Sequence, residues 1–527
     1  MAHLLIAVGF VTVVVVVSGL ARRLGLLAPI LLVIVGIGLS FVPGLPEIRL
    51  DPQVVLIGVL PPLMYVAAVE TSVPAFRFNL RPILLLAVGL VLFTTAAVGL
   101  VLHLLLPALP LAATFALGAV VAPPDAVAAT AVARRIGLPR RLVTILEGES
   151  LVNDATALVA FRVAVAAAVG AAVTPVSVAT YALVASIGGV SIGLIGAVAL
   201  AGLHRRVIDP LLDNAISLLT PFVVYLAAET VRASGVVAVV VAGLYLGHRF
   251  PLLMSAASRL QMGAFWRMVK FLLEGGVFLL VGLQLRGIIG DLDTPWGTVA
   301  GVTAAVLGTV IAARFVWMYP ATYLARLVPR VRRRDPSKPV RVPTVVAWAG
   351  MRGVVTLAAA LALPATLAGG ARYPRDLFVW LAFAVIVGTL VLQGATLPMV
   401  ARWLRVSPDD PRADALAEAA VQQAASRAAD ERLTEELNGA DQVPEEIVRR
   451  LRQIREDRTN VAWERLGSRR RETPSEAYGR LRRAMLTAER EVFRRARDEG
   501  TIAEEVLQRA QRDMDLEESL LERKGAA

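Results

Sequence analysis

Residues 111–133 of the chain read LAATFALGAVVAPPDAVAATAVA. This stretch has the roughly 20 residues that an apolar helix needs to cross a bilayer. Pro123 and Pro124 interrupt the helix, because proline has no N–H and its ring clashes with the preceding turn. Asp125 follows directly, and a charge in hydrocarbon costs at least roughly 2.5–3.5 kcal/mol, so intramembrane carboxylates are functional candidates. The stretch therefore predicts a membrane-spanning helix that is broken at a functional carboxylate.

Similar apolar runs repeat along most of the chain. Of the 527 residues, 56% are hydrophobic and only 18% are charged, which is more apolar surface than one soluble core buries. We therefore predict an all-α polytopic membrane protein with about thirteen transmembrane helices. Their ranges are 4–20, 25–43, 53–70, 83–106, 111–133, 146–170, 178–203, 213–231, 234–248, 264–287, 297–322, 344–366 and 377–402.

The composition changes after Trp403, where Arg, Glu and Ala replace the apolar runs. The sequence thus predicts a transmembrane domain over residues 1–405 and a cytoplasmic helical tail over residues 406–527. The tail has two possible interpretations: it is either a solvated helical appendage or a cytoplasmic regulator of transport or dimerisation. It contains no nucleotide-binding loop, metal motif or catalytic triad, so an enzyme is not predicted.

Basic residues in the loops orient the spans, because cytoplasmic loops are enriched in Lys and Arg. Loops after odd-numbered spans contain clusters such as Arg22-Arg23 and Arg134-Arg135. Loops after even-numbered spans contain only Arg49, Arg232, Arg286, Arg372 and Arg375. We therefore expect a membrane protein with its N-terminus outside and its tail in the cytoplasm. The basic loop residues that contribute to the net charge of +12 then face anionic membrane lipid, and no nucleic-acid partner is predicted.

An odd number of spans suits two inverted six-helix repeats joined by a linking helix. Transporters of this kind place their site where helices are broken at corresponding positions of the two halves. Span 12 lies seven spans after the broken span 5, and it contains Gly350-Met351-Arg352-Gly353. The pattern therefore predicts that two broken helices cross, each with a charged residue at its break.

The densest group of polar residues in the membrane part is EGESLVND at residues 147–154. Ser150 and Asp154 are four residues apart, as are Glu149 and Asn153, so a helix places them in two adjacent rows. Together they offer the carboxylate, hydroxyl and amide oxygens that a hard cation such as Na⁺ prefers. Burial disfavours the anionic form of a carboxylate, so Asp154 holds either a proton or a cation. Competition for one site couples the transport of the two ions.

At these residues the chain resembles the monovalent cation:proton antiporter-1 family, the sodium/proton exchangers, in its bacterial branch. The resemblance covers about residues 5–405. It rests on residues 122–127 (APPDAV) and 145–154 (ILEGESLVND), with support from residues 60–63 (LPPL), 282–285 (GLQL) and 348–355 (WAGMRGVV).

The resemblance implies a protein of the bacterial inner membrane with an inverted-repeat fold, usually dimeric, in which a mobile core domain contains the crossing. It makes Asp154 the carboxylate that binds the cation and the proton, and Ser150 a further ligand. Asn153 replaces a second aspartate of electrogenic relatives, which implies electroneutral exchange of one Na⁺, Li⁺ or K⁺ for one H⁺, without a cofactor. Glu149 and Arg352 are implied to form an ion pair that holds the core together.

The chain departs from the commoner family pattern beside Asp125. Many relatives have Thr-Asp-Pro, whereas this chain has Pro124-Asp125-Ala126, so a hydroxyl ligand is missing. This departure leaves the choice among Na⁺, Li⁺ and K⁺ open. Asp125 itself has two readings, a contact to the ion or a cap on the half-helix that follows the break.

Several alternatives remain open from the sequence. A K⁺-preferring exchanger is the nearest alternative function, and a tail-gated cation channel or sensor is the alternative from another class. Arg314 either reaches toward a lipid headgroup or balances a buried acid. The remaining candidates are assigned outside the ion site: Glu147 as a solvated entry residue, Glu229 and Glu274 as interface or surface residues, and His204 and His248 as isolated residues at loop edges.

Overall fold

In a computed structural model of the chain, the described residues are 2–43, 45, 50–327, 329, 340–370, 373–406, 408–438, 443–464 and 472–526. The chain divides into two compact units, Met1–Pro408 and Asp409–Ala527. Within the described residues every regular element is a helix, as the apolar runs predict. Of the loop residues used to orient the spans, Arg49 and Arg372 lie outside the described residues.

The first unit contains sixteen helices in its described part, numbered here in chain order. Their bounds are α1 Ala2–Leu24, α2 Ala28–Ser40, α3 Val54–Glu70, α4 Val73–Phe78, α5 Leu80–Leu105, α6 Leu111–Val121, α7 Ala126–Arg135, α8 Arg140–Ala168, α9 Pro175–His204, α10 Pro210–Thr230, α11 Gly235–Leu253, α12 Ala256–Gly290, α13 Trp296–Tyr323, α14 Arg341–Trp348, α15 Val354–Leu361 and α16 Arg375–Trp403.

In the part of the chain that the structure describes, nine helices are long and apolar enough to cross a membrane. They lie at nine of the predicted ranges. The other four ranges fall on helices that are shorter or interrupted. The second and third fall on α2 and α3, the fifth on α6 and α7, and the twelfth on α14 and α15.

Helix starts in this unit follow local capping chemistry. The side chain of Thr174 accepts a hydrogen bond from the backbone N–H of Ser177, and the side chain of Ser177 accepts one from the backbone N–H of Thr174, so α9 begins at a capping box. The carboxylate of Asp209 accepts from the N–H of Leu211 at the start of α10. These caps satisfy N–H groups that have no partner inside the helix.

Close helix packing depends on glycine. A Cβ atom on Gly282 of α12 would collide with the backbone of α2, and one on Gly118 of α6 would collide with the backbone of α5. In lipid, helices associate through such close contacts, because the surrounding tails are as apolar as the side chains. These short distances between backbones place α2 beside α12, and α5 beside the interrupted helix α6–α7.

Buried apolar residues form separate clusters. One includes Leu117 of α6, Val306 of α13, Leu357 of α15 and Ile386 of α16. Another includes Tyr65 of α3, Ala197 of α9, Val224 of α10 and Val239 of α11. Helix α12 contributes residues to both clusters, and α8 does so as well.

The second unit consists of four helices in its described residues: α17 Pro411–Asn438, α18 Glu445–Glu464, α19 Pro474–Asp498 and α20 Glu504–Ala526. Leu486 of α19 and Met514 of α20 are buried against each other's helices. Arg482 donates to both carboxylate oxygens of Glu517, at 2.7 and 2.8 Å. An apolar contact and a bidentate ion pair therefore join the last two helices.

Candidate ion-binding site at the crossing of two interrupted helices

The two interrupted helices meet at their breaks. Helix α6 ends at Val121 and α7 begins at Ala126, while α14 ends at Trp348 and α15 begins at Val354. The backbone N–H of Asp125 donates to the carbonyl of Met351 over 2.7 Å, so one break is hydrogen-bonded to the other. A Cβ atom on Gly353 would collide with the Asp125 carboxylate, which explains why glycine stands there.

Asp125 caps the half-helix after the first break. Its Oδ1 accepts a hydrogen bond from the N–H of Val127 over 2.8 Å. A carboxylate at this place also matches the partial positive charge of a helix N-terminus. Asp125 also lines the cavity described below, so the geometry shows the cap and leaves the carboxylate within reach of an ion.

Arg352 stabilises the opposite, carbonyl end of the same break. Its Nε donates to the carbonyl of Val121 over 3.1 Å, Nη2 donates to that of Ala122 over 3.2 Å, and Nη1 donates to the carbonyl of Gly350. The guanidinium is 1% exposed. The break leaves α6 carbonyls without helical donors, and a guanidinium supplies several donors in a plane.

The ion partner of Glu149 is Arg314. Arg314 Nη1 and Nη2 donate to Glu149 Oε1 and Oε2 at 2.6 and 2.8 Å, and both side chains are 1% exposed. Arg314 Nε also donates to the carbonyl of Val346, near the end of α14. The predicted pairing of Glu149 with Arg352 is therefore wrong. The physical reason is that the guanidinium of Arg352 donates to the backbone carbonyls at the break. Glu149 is therefore paired with the guanidinium of Arg314 on α13.

Asp154 and Asn153 lie on α8 beside the crossing. Asn153 is fully buried, and its Nδ2 donates to the carbonyl of Pro124 over 2.7 Å. Its Oδ1 is buried and has no hydrogen-bond partner among the described residues. Asp154 is 6% exposed and likewise has no hydrogen bond or ion pair to any described residue. An amide oxygen and a carboxylate are therefore available as ligands at the first break.

A cavity of about 240 Å³ reaches this place from the protein surface. Asp154, Ser150 and Asp125 line its buried part, together with Pro123 and Pro124. Two ion pairs line its more exposed part. Arg134 contacts Glu147 at 2.6 Å, and Lys270 contacts Glu70 at 3.0 Å. The cavity thus leads from a charged rim to a buried carboxylate.

The structure brings Asp154, Ser150 and Asp125 together at one cavity, with Asn153 hydrogen-bonded to its wall. Glu274 of α12 lines the same cavity, whereas the sequence predicts it at an interface or on the surface. Lys270, one turn earlier on the same face of the helix, is the sequence signal that points to a polar lining.

Other charged candidates lie apart from this cavity. Glu229 pairs with Arg162 at 3.2 Å, and both are partly exposed. His204 lies at a loop edge, as predicted, since it is the last residue of α9, but it is not isolated. It is fully buried, and its Nδ1 lies 2.5 Å from Oδ1 of Asp213. The sequence does not predict this pair, because His204 and Asp213 stand on opposite sides of a loop that contains basic residues.

Comparison with known proteins agrees with this geometry. Residues 10–403 match the family model described as sodium/hydrogen exchanger, transmembrane. An uncharacterized Na⁺/H⁺ exchanger of Mycobacterium tuberculosis is 37% identical, over 98% of this chain and 95% of the relative. The sodium, potassium, lithium and rubidium/H⁺ antiporter of Bacillus subtilis is 33% identical, over 73% of this chain and 60% of the relative.

The fold is similar to that of the sodium proton antiporter MjNhaP1 from Methanocaldococcus jannaschii at pH 8. The TM-score is 0.58 at 18% identity, and the match covers 76% of this chain and 99% of that one. The matched family model spans the crossing, the cavity and all the membrane-length helices. This chain belongs to the sodium/hydrogen exchanger family of multi-pass membrane proteins.

Proposed function

We propose that the protein exchanges one monovalent cation for one proton, with Asp154 as the shared binding residue. The observation that carries this proposal is the contrast between burial and pairing: Asp154 is 6% exposed, has no partner among the described residues and lines the cavity. An unpaired carboxylate in such a place is costly unless an ion or a proton neutralises it. Loading with either species meets that requirement, and loading with both does not.

The remaining ligands follow from the same geometry. The free Oδ1 of Asn153 and the hydroxyl of Ser150 add oxygens on the same helix, and Asp125 adds a carboxylate at the cap. Asn153 carries no charge, so a single titrating carboxylate exchanges its proton for one cation. Exchange is then electroneutral.

For the moving parts, we propose thirteen spans in two inverted six-helix repeats, with the second repeat beginning seven spans after the first. The two breaks support this arrangement, since α6–α7 and α14–α15 are each interrupted and are hydrogen-bonded to each other. The crossing moves as a core against a dimerisation domain, and Asp154 reaches either side by alternating access. The rim with Arg134 and Lys270 faces the cytoplasm, the N-terminus lies outside, and the helical tail regulates transport.

K⁺ remains a second candidate for the cation. The Bacillus subtilis relative is named for sodium, potassium, lithium and rubidium exchange. Pro124 offers no hydroxyl, and its carbonyl is already occupied by Asn153 Nδ2. A site with fewer fixed ligands discriminates less between ions of different size, which favours broad selectivity.

The test uses purified protein in proteoliposomes that hold a pH gradient and a pH-sensitive dye. Addition of Na⁺, Li⁺ or K⁺ to the wild-type protein dissipates the gradient, and addition to Asp154→Asn does not. Glu229→Gln, in an exposed pair away from the cavity, is the matched control and retains exchange. Normal exchange by Asp154→Asn contradicts the assignment, and a rate that follows an imposed membrane potential contradicts the one-for-one stoichiometry.

A further inference from the structure

Helix α12 forms one wall of the ion cavity and contributes residues at increasing depth. The side chain of Lys270 is 33% exposed at the rim, and its Nζ contacts Glu70 Oε2 at 3.0 Å. Phe278, eight residues further along, is 2% exposed. Glu274 lies one turn from each of them on the same face, and all three line the cavity. Its carboxylate therefore stands between the rim and the buried end.

Glu274 differs from most carboxylates of this cavity, because no hydrogen bond or ion pair joins it to a described residue. Glu70 and Glu147 are held by Lys270 and Arg134, and Asp125 accepts from the N–H of Val127. Glu274 Oε1 is buried and lacks a hydrogen-bond partner among the described residues. A buried acceptor without a partner costs about 1–3 kcal/mol. The carboxylate therefore does not stabilise the fold, and it lines the same cavity as Asp154.

Glu274 and Asp154 are on different walls. Asp154 belongs to α8, beside the crossing. Helix α12 is fitted closely to α1 and α2 instead: a Cβ atom on Gly275 would collide with Val14, and one on Gly282 would collide with the backbone of Val33. A movement of the crossing relative to α12 therefore changes the distance between the two carboxylates.

A second cavity, of about 690 Å³, lies at the other end of α12. Gln284, Arg286 and Asp291 line it, together with Leu361 at the end of α15. Glu274 does not line this second cavity, and Asp154 does not either. A cation that arrives from that end meets other side chains of α12 and does not pass Glu274.

We propose that Glu274 is a cation-binding residue that serves one face of the membrane. It takes a monovalent cation from the rim of the first cavity and holds it one step before Asp154. A carboxylate in a narrow cavity with apolar walls raises the local concentration of cations there. This inference rests on the proposed function, because it assumes that the cation continues to Asp154.

The test measures the cation concentration for half-maximal exchange from each face separately. Everted membrane vesicles present the rim with Arg134 and Lys270 to the medium under the proposed orientation, and right-side-out vesicles present the other end. In Glu274→Gln we expect KM for Na⁺ to rise about tenfold in everted vesicles, with the maximal rate within about twofold. KM in right-side-out vesicles stays unchanged. An unchanged KM on both faces, or an equal rise on both, overturns the proposal.

Glu147→Gln is the matched control, because Glu147 lines the same cavity but is paired with Arg134. We expect the KM of Glu147→Gln to stay within about twofold of the wild type. A rise equal to that of Glu274→Gln shows a general effect of the charge in the cavity and overturns the specific role of Glu274. Glu274→Asp keeps the charge and restores a low KM, whereas a KM as high as that of Glu274→Gln contradicts cation binding. Loss of exchange in Asp154→Asn from both faces tests the proposed function independently.

Discussion

Glu149 and Asp154 lie five residues apart on one helix, and both are buried, but only Glu149 has an ion partner among the described residues. Glu149 is 1% exposed and both of its oxygens are bonded by Arg314. Asp154 is 6% exposed and has neither a hydrogen bond nor an ion pair within the described part of the chain. The difference teaches that burial alone does not identify a transport residue. The pairing separates a carboxylate that holds helices together from one that is available to an ion.

The largest effect on stability is expected at the paired carboxylate. Glu149→Gln leaves the Arg314 charge buried without a counter-ion, and breaking a buried pair costs about 3–5 kcal/mol. We expect a matching fall in the free energy of unfolding in detergent, and less protein in the membrane. The double variant Glu149→Gln/Arg314→Met removes both charges and recovers part of the loss. Wild-type stability in Glu149→Gln refutes the structural role.

An intermediate effect is expected at Arg352. Arg352→Lys keeps the charge but lacks the planar set of donors that reaches Val121 and Ala122, so at least one buried carbonyl is left without a donor. Each such acceptor costs about 1–3 kcal/mol. The free energy of unfolding measures this loss. A larger loss than in Glu149→Gln means that the crossing depends on its carbonyl caps more than on the pairing of its charges.

The smallest effect on stability is expected at Asp154. Asp154→Asn breaks no hydrogen bond or ion pair to the described residues, so we expect the free energy of unfolding to change by less than about 1 kcal/mol, in either direction. The same preparation is inactive in the exchange assay, which separates function from folding. A destabilisation of the size expected for Glu149→Gln removes the distinction between the two carboxylates.

Much of the membrane architecture follows from the sequence, because hydrocarbon thickness sets the length of a span and proline ends a helix. Pro123-Pro124 and Gly350–Gly353 place the two breaks correctly, and the Asp125 cap is one of the two readings open from the sequence. These are local properties, which depend on residues a few positions apart.

The pairing of charges did not follow from the sequence. Arg314 and Arg352 both stand in apolar runs, and Glu149 is separated from Arg314 by 165 positions. Choosing between them requires the rotation of α13 about its axis and the position of the α6 carbonyls, which hydropathy does not contain. Glu274 shows the same limit, since one carboxylate in an apolar helix faces lipid, a neighbour or a cavity with no change in the pattern.

The Glu149–Arg314 pair has a consequence for behaviour on heating. The hydration free energy of charged groups becomes less favourable as temperature rises, so the cost of keeping both ions out of water falls. The pair ties α8 to α13, and Arg314 also holds the end of α14. Its net contribution therefore grows on warming, whereas the contribution of apolar contacts per unit of buried area levels off. The contacts between α8, α13 and α14 are therefore expected to contribute a larger share of the stability at high temperature than at low temperature.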